Sequence, residues 1–425
     1  MEYALILILI ILALYLLHIK SDELTLLYFL LLALPFSVVF VRIVDKNYDW
    51  AGAEHNFYRQ AAFDPGVMNT VFLVGFVSIM AFFVVKVLLD LSKLRGMRYL
   101  QRFPKMPVVQ YSTTVTIAIL FLALYLNSFS ARTFNIFDYG YGKMYDPPGS
   151  GGSYIIGYTL LLLIALKNSK IIIRKKVVEL AIWVALIYEI IFHQLLVGSR
   201  ESIGLIAAFY VIYKYRFINN NEMSKLKNTK RVLLIMIALF LSLGAFRSIL
   251  GSNPDAVFSQ GVFSIFYNNP WNASLLSVLG FSDQFLKGEG ILFFSYYEQL
   301  LLKIPPQLIT SSLYLDLIDS KLSDPGHWYP DYTTGGAYYP IVLLRSFGFV
   351  FGTIGLILMF ILLMLASKLI LSYKLYGQLL YLVLLMVSFR WMWYGDIDLV
   401  RGIQAWLIVC ALDCLLSAVV LKKPI

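Results

Sequence analysis

The sequence predicts an all-α polytopic membrane protein with about eleven transmembrane helices and one large loop on a single face. Three observations carry this expectation. The 425-residue chain is 60% hydrophobic and only 14% charged, with a mean hydropathy of +0.75. A soluble domain carries nearer a quarter charged residues. Apolar runs long enough to cross about 30 Å of hydrocarbon recur from end to end. The basic residues are sorted between two sets of links, as orientation signals are.

Taken in chain order, the predicted helices cover 2–18, 24–43, 67–91, 108–127, 153–167, 177–197, 202–216, 231–250, 341–367, 375–391 and 400–421. The first run lacks a basic leader and a small-residue cleavage site, so it reads as a retained helix and not a signal peptide. The helix at 202–216 is short and would be tilted or broken. The last helix holds the two cysteines, Cys410 and Cys414. Four apart on one face, they read as small packing groups rather than metal or redox groups. With two cysteines there is no disulfide framework to hold the loops.

Alternate links fall at 19–23, 92–107, 168–176, 217–230 and 368–374, with the C-terminal tail on the same side. With their flanking ends, which include Lys167, they hold 21 of the 35 basic residues. By the positive-inside rule this face is cytoplasmic. The N-terminus then lies outside and the C-terminus inside, which an odd number of helices satisfies. The chain divides into helices one to eight with short loops (1–250), a large outer loop (251–340) and helices nine to eleven (341–425). The net charge of +10 lies in short loops and does not mark a nucleic-acid binder.

On the outer face the basic residues are mostly arginines close to segment ends: Arg42, Arg200, Arg247, Arg345, Arg390 and Arg401. An arginine there is costly unless something anionic pairs with it. A layer of them at one depth points to an anionic ligand at the outer mouth of the bundle. The link at 251–340 is far longer than a connector requires, and loops of that length are functional or disordered. Its Phe, Tyr and Trp content favours folding. The stretch ILFFSYYEQLLLK at 291–303 reads as an amphipathic helix on the membrane mouth, ended by Pro305 and Pro306.

Five local patterns could carry chemistry. DYGYGKMYDPPGSGGS at 138–153 is either a flexible loop or a sugar-facing one, with Tyr139 and Tyr141 as stacking surfaces. GSRE at 198–201 forms a tight outer turn in which Ser199 can cap the next helix. Arg200 beside that helix N-terminus makes an anion site, or Arg200 and Glu201 simply pair on the surface. SDPGHWYPDYTTGGAYYP at 323–340 would bring His327, Asp331, Tyr329 and Tyr338 to the membrane mouth. FRWMWYGDIDLVRG at 389–402 packs Arg390, Arg401, Asp396 and Asp398 into one short stretch, as ligand groups or as structural pairs. Glu189 and His193 share a helix face, where an internal hydrogen bond is the simpler role. Walker A, GxSxG and HExxH patterns are absent, as are cysteine–histidine clusters. A nucleotide-driven pump or a metalloenzyme is poorly supported.

Through the Gly198–Ser199–Arg200 turn and the His- and Tyr-bearing stretch before 341–367, the chain resembles the Wzy-type O-antigen polymerases of bacterial inner membranes. The resemblance covers nearly the whole chain as architecture: about eleven helices, a short outer GSR turn and one large outer loop late in the chain. These polymerases look related to the O-antigen ligases, with a GT-C-type, metal-independent membrane glycosyltransferase fold. The resemblance implies a polyprenyl-pyrophosphate donor, a lipid-linked oligosaccharide acceptor and transfer on the periplasmic face, within lipopolysaccharide biosynthesis. It implies no cofactor and no metal, and it leaves room for a chain-length regulator protein as partner. On this reading Arg200, Arg247, Arg345, Arg390 and Arg401 hold the pyrophosphate. Tyr139, Tyr141, Tyr329 and Tyr338 face sugars. His327 is the expected base, with Glu201 and Asp331 as orienting partners or alternatives. A ligase using lipid A core as acceptor and a lipid-linked oligosaccharide flippase are the rival expectations. The flippase would keep its charges near the bilayer midplane and show repeated halves.

Overall fold

The computed structural model describes residues 2–18, 22–36, 64–91, 111–130, 153–170, 176–188, 202–219, 270–288, 291–292, 294–303, 325, 328–329, 337–366 and 375–421. Among these residues all regular structure is helical. The twelve α-helices are α1 (Glu2–His18), α2 (Glu23–Ala33), α3 (Pro65–Leu91), α4 (Thr113–Ser130), α5 (Ser153–Lys170), α6 (Lys176–Tyr188), α7 (Ser202–Asn219), α8 (Pro270–Leu286), α9 (Ser295–Lys303), α10 (Tyr339–Ala366), α11 (Leu375–Tyr394) and α12 (Asp396–Leu421). Among the described residues four spans are long and apolar enough to cross a membrane: Pro65–Leu91, Tyr339–Ala366, Leu375–Trp393 and Asp396–Val419. This is an architecture compatible with a membrane protein. The predicted helix at 231–250 lies outside the described residues.

Two compact units divide the chain. One comprises Met1–Gly96, Phe263–Ser367 and Arg390–Asp398; the other comprises Met97–Val262, Lys368–Phe389 and Leu399–Ile425. In the first unit α3 is the hub, contacted by α1, α2, α8 and α10. Asp64 caps its N-terminus, accepting from the Gly66 N–H at 2.7 Å, and Pro65 fills the first helical position, where a missing N–H costs nothing. The α3 face toward α10 is closed by Phe82 set edge-on to Phe360 at 5.4 Å. In the second unit α5 is the central helix, touched by α4, α6 and α7. Its apolar run from Tyr158 to Leu166 is buried on every side, as a helix surrounded by others must be.

Several boundaries differ from the sequence expectation for physical reasons. The helix expected over 24–43 stops at Ala33 and passes into a 3-10 turn at Leu34–Phe36, because Pro35 lacks the N–H that would continue the ladder. The helix expected from 108 starts at Thr113, where the Ser112 hydroxyl accepts the Val115 N–H at 3.3 Å. Inside the stretch expected as a large loop, α8 forms and buries residues 275–282, while Phe285 and Leu286 are exposed. The amphipathic helix expected at 291–303 is shortened to α9, which buries Tyr296 and Leu300 and exposes Glu298 and Leu301. The link expected at 392–399 shrinks to a single non-helical residue, Gly395, at φ +101°. Cys414 is exposed and Cys410 only half-buried, so the packing role expected of the pair fails for Cys414.

The helix α10 is two arms joined at Gly348, whose φ of 75° and ψ of 175° belong to a backbone region that only glycine occupies readily. The arm at 339–347 folds back on the arm at 349–366. A Cβ at Gly352 would stand 2.7 Å from the Leu343 carbonyl oxygen, a contact that a straight helix could not make. The fold-back aims the short arm, and with it Arg345, toward the loop elements of the first unit.

Candidate functional site

Arg345 sits in the last turn of the short arm. The arm's end is tied by its backbone: the Leu292 N–H donates to the Arg345 carbonyl at 3.0 Å. The Arg345 guanidinium donates to the side-chain oxygen of Gln284 on α8. It also lies 4.8 Å from the centre of the Tyr329 ring and 5.9 Å from that of Trp328. Tyr329 is seated on α8 where Gly280 leaves room for it; a Cβ there would come within 2.7 Å of the tyrosine. Arg345 Nε is buried and has no hydrogen-bond partner, and no carboxylate pairs with this side chain among the described residues. Among the described residues its charge is met by an amide dipole and two aromatic faces.

Trp328 links this arginine to a buried carboxylate. Its ring meets Tyr296 edge-on at 5.2 Å. The Tyr296 hydroxyl in turn accepts the Asp396 backbone N–H at 3.1 Å. The Trp391 indole N–H donates to Asp396 Oδ1 at 3.1 Å. Asp396 Oδ2 is buried without a hydrogen-bond partner, close to the Tyr339 hydroxyl. Gly395 makes this junction possible, because Pro325 and the Tyr296 hydroxyl both lie 3.0 Å from where its Cβ would be. The Ala337 N–H donates to the Trp393 carbonyl at 2.6 Å. Residues remote in sequence, at 284, 296, 325, 328–329, 337–345 and 390–398, thus meet in one place. Burial first, and then the Asp396 charge, hold the Tyr296 and Tyr297 phenols above their ordinary range, so both stay protonated.

Of the residues singled out from sequence, Arg345, Arg390, Tyr329 and Tyr338 fall in the first unit. Arg390 is half-exposed, with its Nε 3.8 Å from Asp398 Oδ2, so one expected Arg–Asp pair forms while Asp396 turns to tryptophan and tyrosine. Tyr338 is fully buried; its hydroxyl donates to the Leu32 carbonyl at 3.1 Å. Tyr329 is also buried. Both rings here serve packing and present no open face. Arg401 is half-buried on α12 in the second unit. Arg42, Tyr139, Tyr141, Glu189, His193, Arg200, Glu201, Arg247, His327 and Asp331 lie outside the described residues. Gln284, Tyr296, Trp328 and Trp391 join the cluster without having been singled out. Their only sequence signal is an amide or aromatic among apolar neighbours.

Lys167, counted from sequence as an orientation charge at a helix end, is instead buried against Asp413 in the second unit. Among the described residues no three His, Cys, Asp or Glu side chains gather as a metal ion would require. Comparison with protein-family models, with curated proteins and with solved structures gives no match.

Proposed function

We propose that the chain is a membrane glycosyltransferase of GT-C type that polymerises polyprenyl-pyrophosphate-linked oligosaccharide repeat units. It works on the periplasmic face of a bacterial inner membrane. The proposal includes eleven membrane crossings, a periplasmic N-terminus and a cytoplasmic C-terminus. The observation that supports it best is Arg345, a guanidinium beside the loop residues Trp328 and Tyr329 that only neutral groups meet among the described residues. A charge left in that condition at a membrane mouth favours an anionic ligand. A lipid pyrophosphate is such an anion, held at membrane depth by its tail.

In this reading guanidiniums among Arg200, Arg247, Arg345, Arg390 and Arg401 grip pyrophosphate oxygens in bidentate fashion. The acceptor hydroxyl oxygen bonds to the donor's anomeric carbon, and the bond from that carbon to the pyrophosphate oxygen breaks. Guanidiniums stabilise the charge growing on the leaving group; one well-placed donor of this kind is worth about 3–4 kcal/mol. The hydroxyl proton passes to His327, oriented by Asp331 or Glu201. Polyprenyl pyrophosphate leaves.

The test is product size, with the purified full-length chain and lipid-linked repeat units. A ladder of repeats supports the polymerase. A single transfer to lipid A core would make it a ligase, and lipid movement without a new glycosidic bond would make it a flippase. At equal expression, Arg200→Ala abolishes the ladder and Arg200→Lys impairs it, because a point charge cannot reproduce the guanidinium fork. His327→Ala keeps donor binding and lowers turnover about a hundredfold or more. Unchanged turnover would move the base to a carboxylate.

A further inference from the structure

The second unit buries a charged node that the proposed reaction does not use. Asp413 on α12 is 2% exposed and Lys167 on α5 is 4% exposed, and they form a direct ion pair. The same carboxylate accepts the Tyr111 hydroxyl, from the segment leading into α4. It also accepts the Tyr376 hydroxyl, from the first turn of α11, at 3.0 Å. The Lys167 ammonium sits 3.8 Å above the centre of the Tyr111 ring. A second tie runs alongside, where the Trp406 indole N–H of α12 donates to the Tyr376 carbonyl at 2.9 Å.

Three donors from three other elements occupy one carboxylate. Such a group has little acceptor capacity left for a cation or a substrate, and its burial keeps water away. The ion pair does not explain itself as simple stabilisation either. Two ions removed from water lose solvation that their attraction recovers only with complete hydrogen bonding. The best-attested gain from a buried polar group is a single arrangement among competing ones. In an apolar bundle lipid tails compete with side chains equally well, and interhelical polar contacts fix which helix meets which.

We propose that Asp413 is the assembly lock of the second unit: its contacts with Tyr111, Lys167 and Tyr376 select the one arrangement in which α4, α5 and α11 pack on α12. Removing one charge leaves the other buried and unmatched, so each single loss is far worse than the joint loss.

The test is a double-mutant cycle on the full-length chain in detergent, read by thermal unfolding and by resistance to limited proteolysis. Lys167→Met or Asp413→Leu alone should lower the folded-to-unfolded ratio about a hundredfold or more, as breaking a buried pair does. The combined Lys167→Met, Asp413→Leu variant should recover most of that loss. Should either single variant yield no folded protein, recovery of folded double variant remains decisive. Tyr376→Phe should produce a smaller loss, on the order of five- to tenfold, as for one hydrogen bond. Additive losses in the double variant, or single variants as stable as the parent, overturn the lock.

Discussion

In the second unit the Asp413 carboxylate meets an ammonium and two phenols; in the first, the Arg345 guanidinium meets an amide oxygen and two aromatic rings. Both charges lie among apolar helices, and both have several partners. The sum of charge around them differs. At Asp413 it closes to zero within the chain. At Arg345 it does not among the described residues, and neither does it at Asp396, whose Oδ2 has no hydrogen-bond partner. A closed node is explained by the fold it holds. An open one asks for a ligand, and this separates a structural charge from a candidate site more sharply than burial does.

The largest expected effect comes from treating the two cations alike. Lys167→Met should cost the second unit about 3–5 kcal/mol, because it strands Asp413. Arg345→Met should change stability by less than about 1 kcal/mol, because it strands no opposite charge. Thermal unfolding of the two variants side by side checks this. Equal losses would erase the distinction between a closed and an open charge.

Next in size is Gly348→Ala. An alanine at φ 75° and ψ 175° carries backbone strain of about 1–3 kcal/mol. The added methyl would stand 3.0 Å from the tip of Ile291, a side chain free to move, so the strain dominates. The fold-back of α10 should loosen and Arg345 should leave its aromatic cradle. Loss of stability together with slower transfer would tie the open charge to this bend. An unaffected variant would show that the arm does not depend on it.

How much of this was legible in the sequence follows from the range of each signal. The runs that became α1, α3 and α5 are predominantly apolar, and their bounds read almost unaided. The Pro35 stop was present in the sequence but was outweighed by the apolar residues around it. The helix α8 was missed because Asn and Ser break its apolar pattern; Ser277 and Ser282 are nonetheless fully buried. The Ser277 hydroxyl accepts the Tyr338 N–H at 3.0 Å and the Ser282 hydroxyl donates to the Val278 carbonyl at 2.8 Å. Asp396 and Asp398 looked like loop residues, yet acids in a first helical turn complement the helix dipole. Arg345 was visible as a charge near a segment end. That Gln284 and Trp328 would surround it was not, nor was the pairing of Lys167 with Asp413, because such contacts join residues far apart in sequence.

Comparable in size is the binding effect at the open charge. Arg345→Met should weaken binding of a polyprenyl pyrophosphate about ten- to a hundredfold, the equivalent of about 1.5–3 kcal/mol for hydrogen bonds to a charged group. Arg345→Lys should recover only part of it. The measurement is titration of purified protein in detergent with the lipid pyrophosphate, with the uncharged polyprenol as control. Equal affinity for both lipids would remove Arg345 from pyrophosphate recognition and leave the aromatic cradle as its whole explanation.

The smallest effect, and the one whose sign matters, is Asp396→Asn. The carboxylate accepts the Trp391 indole N–H at Oδ1, a bond an asparagine carbonyl oxygen can keep, and the Tyr339 and Tyr296 hydroxyls lie beside it. Oδ2 has no hydrogen-bond partner, and no cation pairs with Asp396 among the described residues. The charge therefore bears a desolvation cost that no ion pair offsets. An amide in its place removes that cost and points its N–H groups toward the Tyr339 and Tyr296 hydroxyls. Stability should stay within about 1 kcal/mol of the parent or rise. A fall of more than that, measured by thermal unfolding, would mean that a cation neutralises Asp396. The first unit would then be as closed as the second, and the contrast between them would fail at its carboxylate.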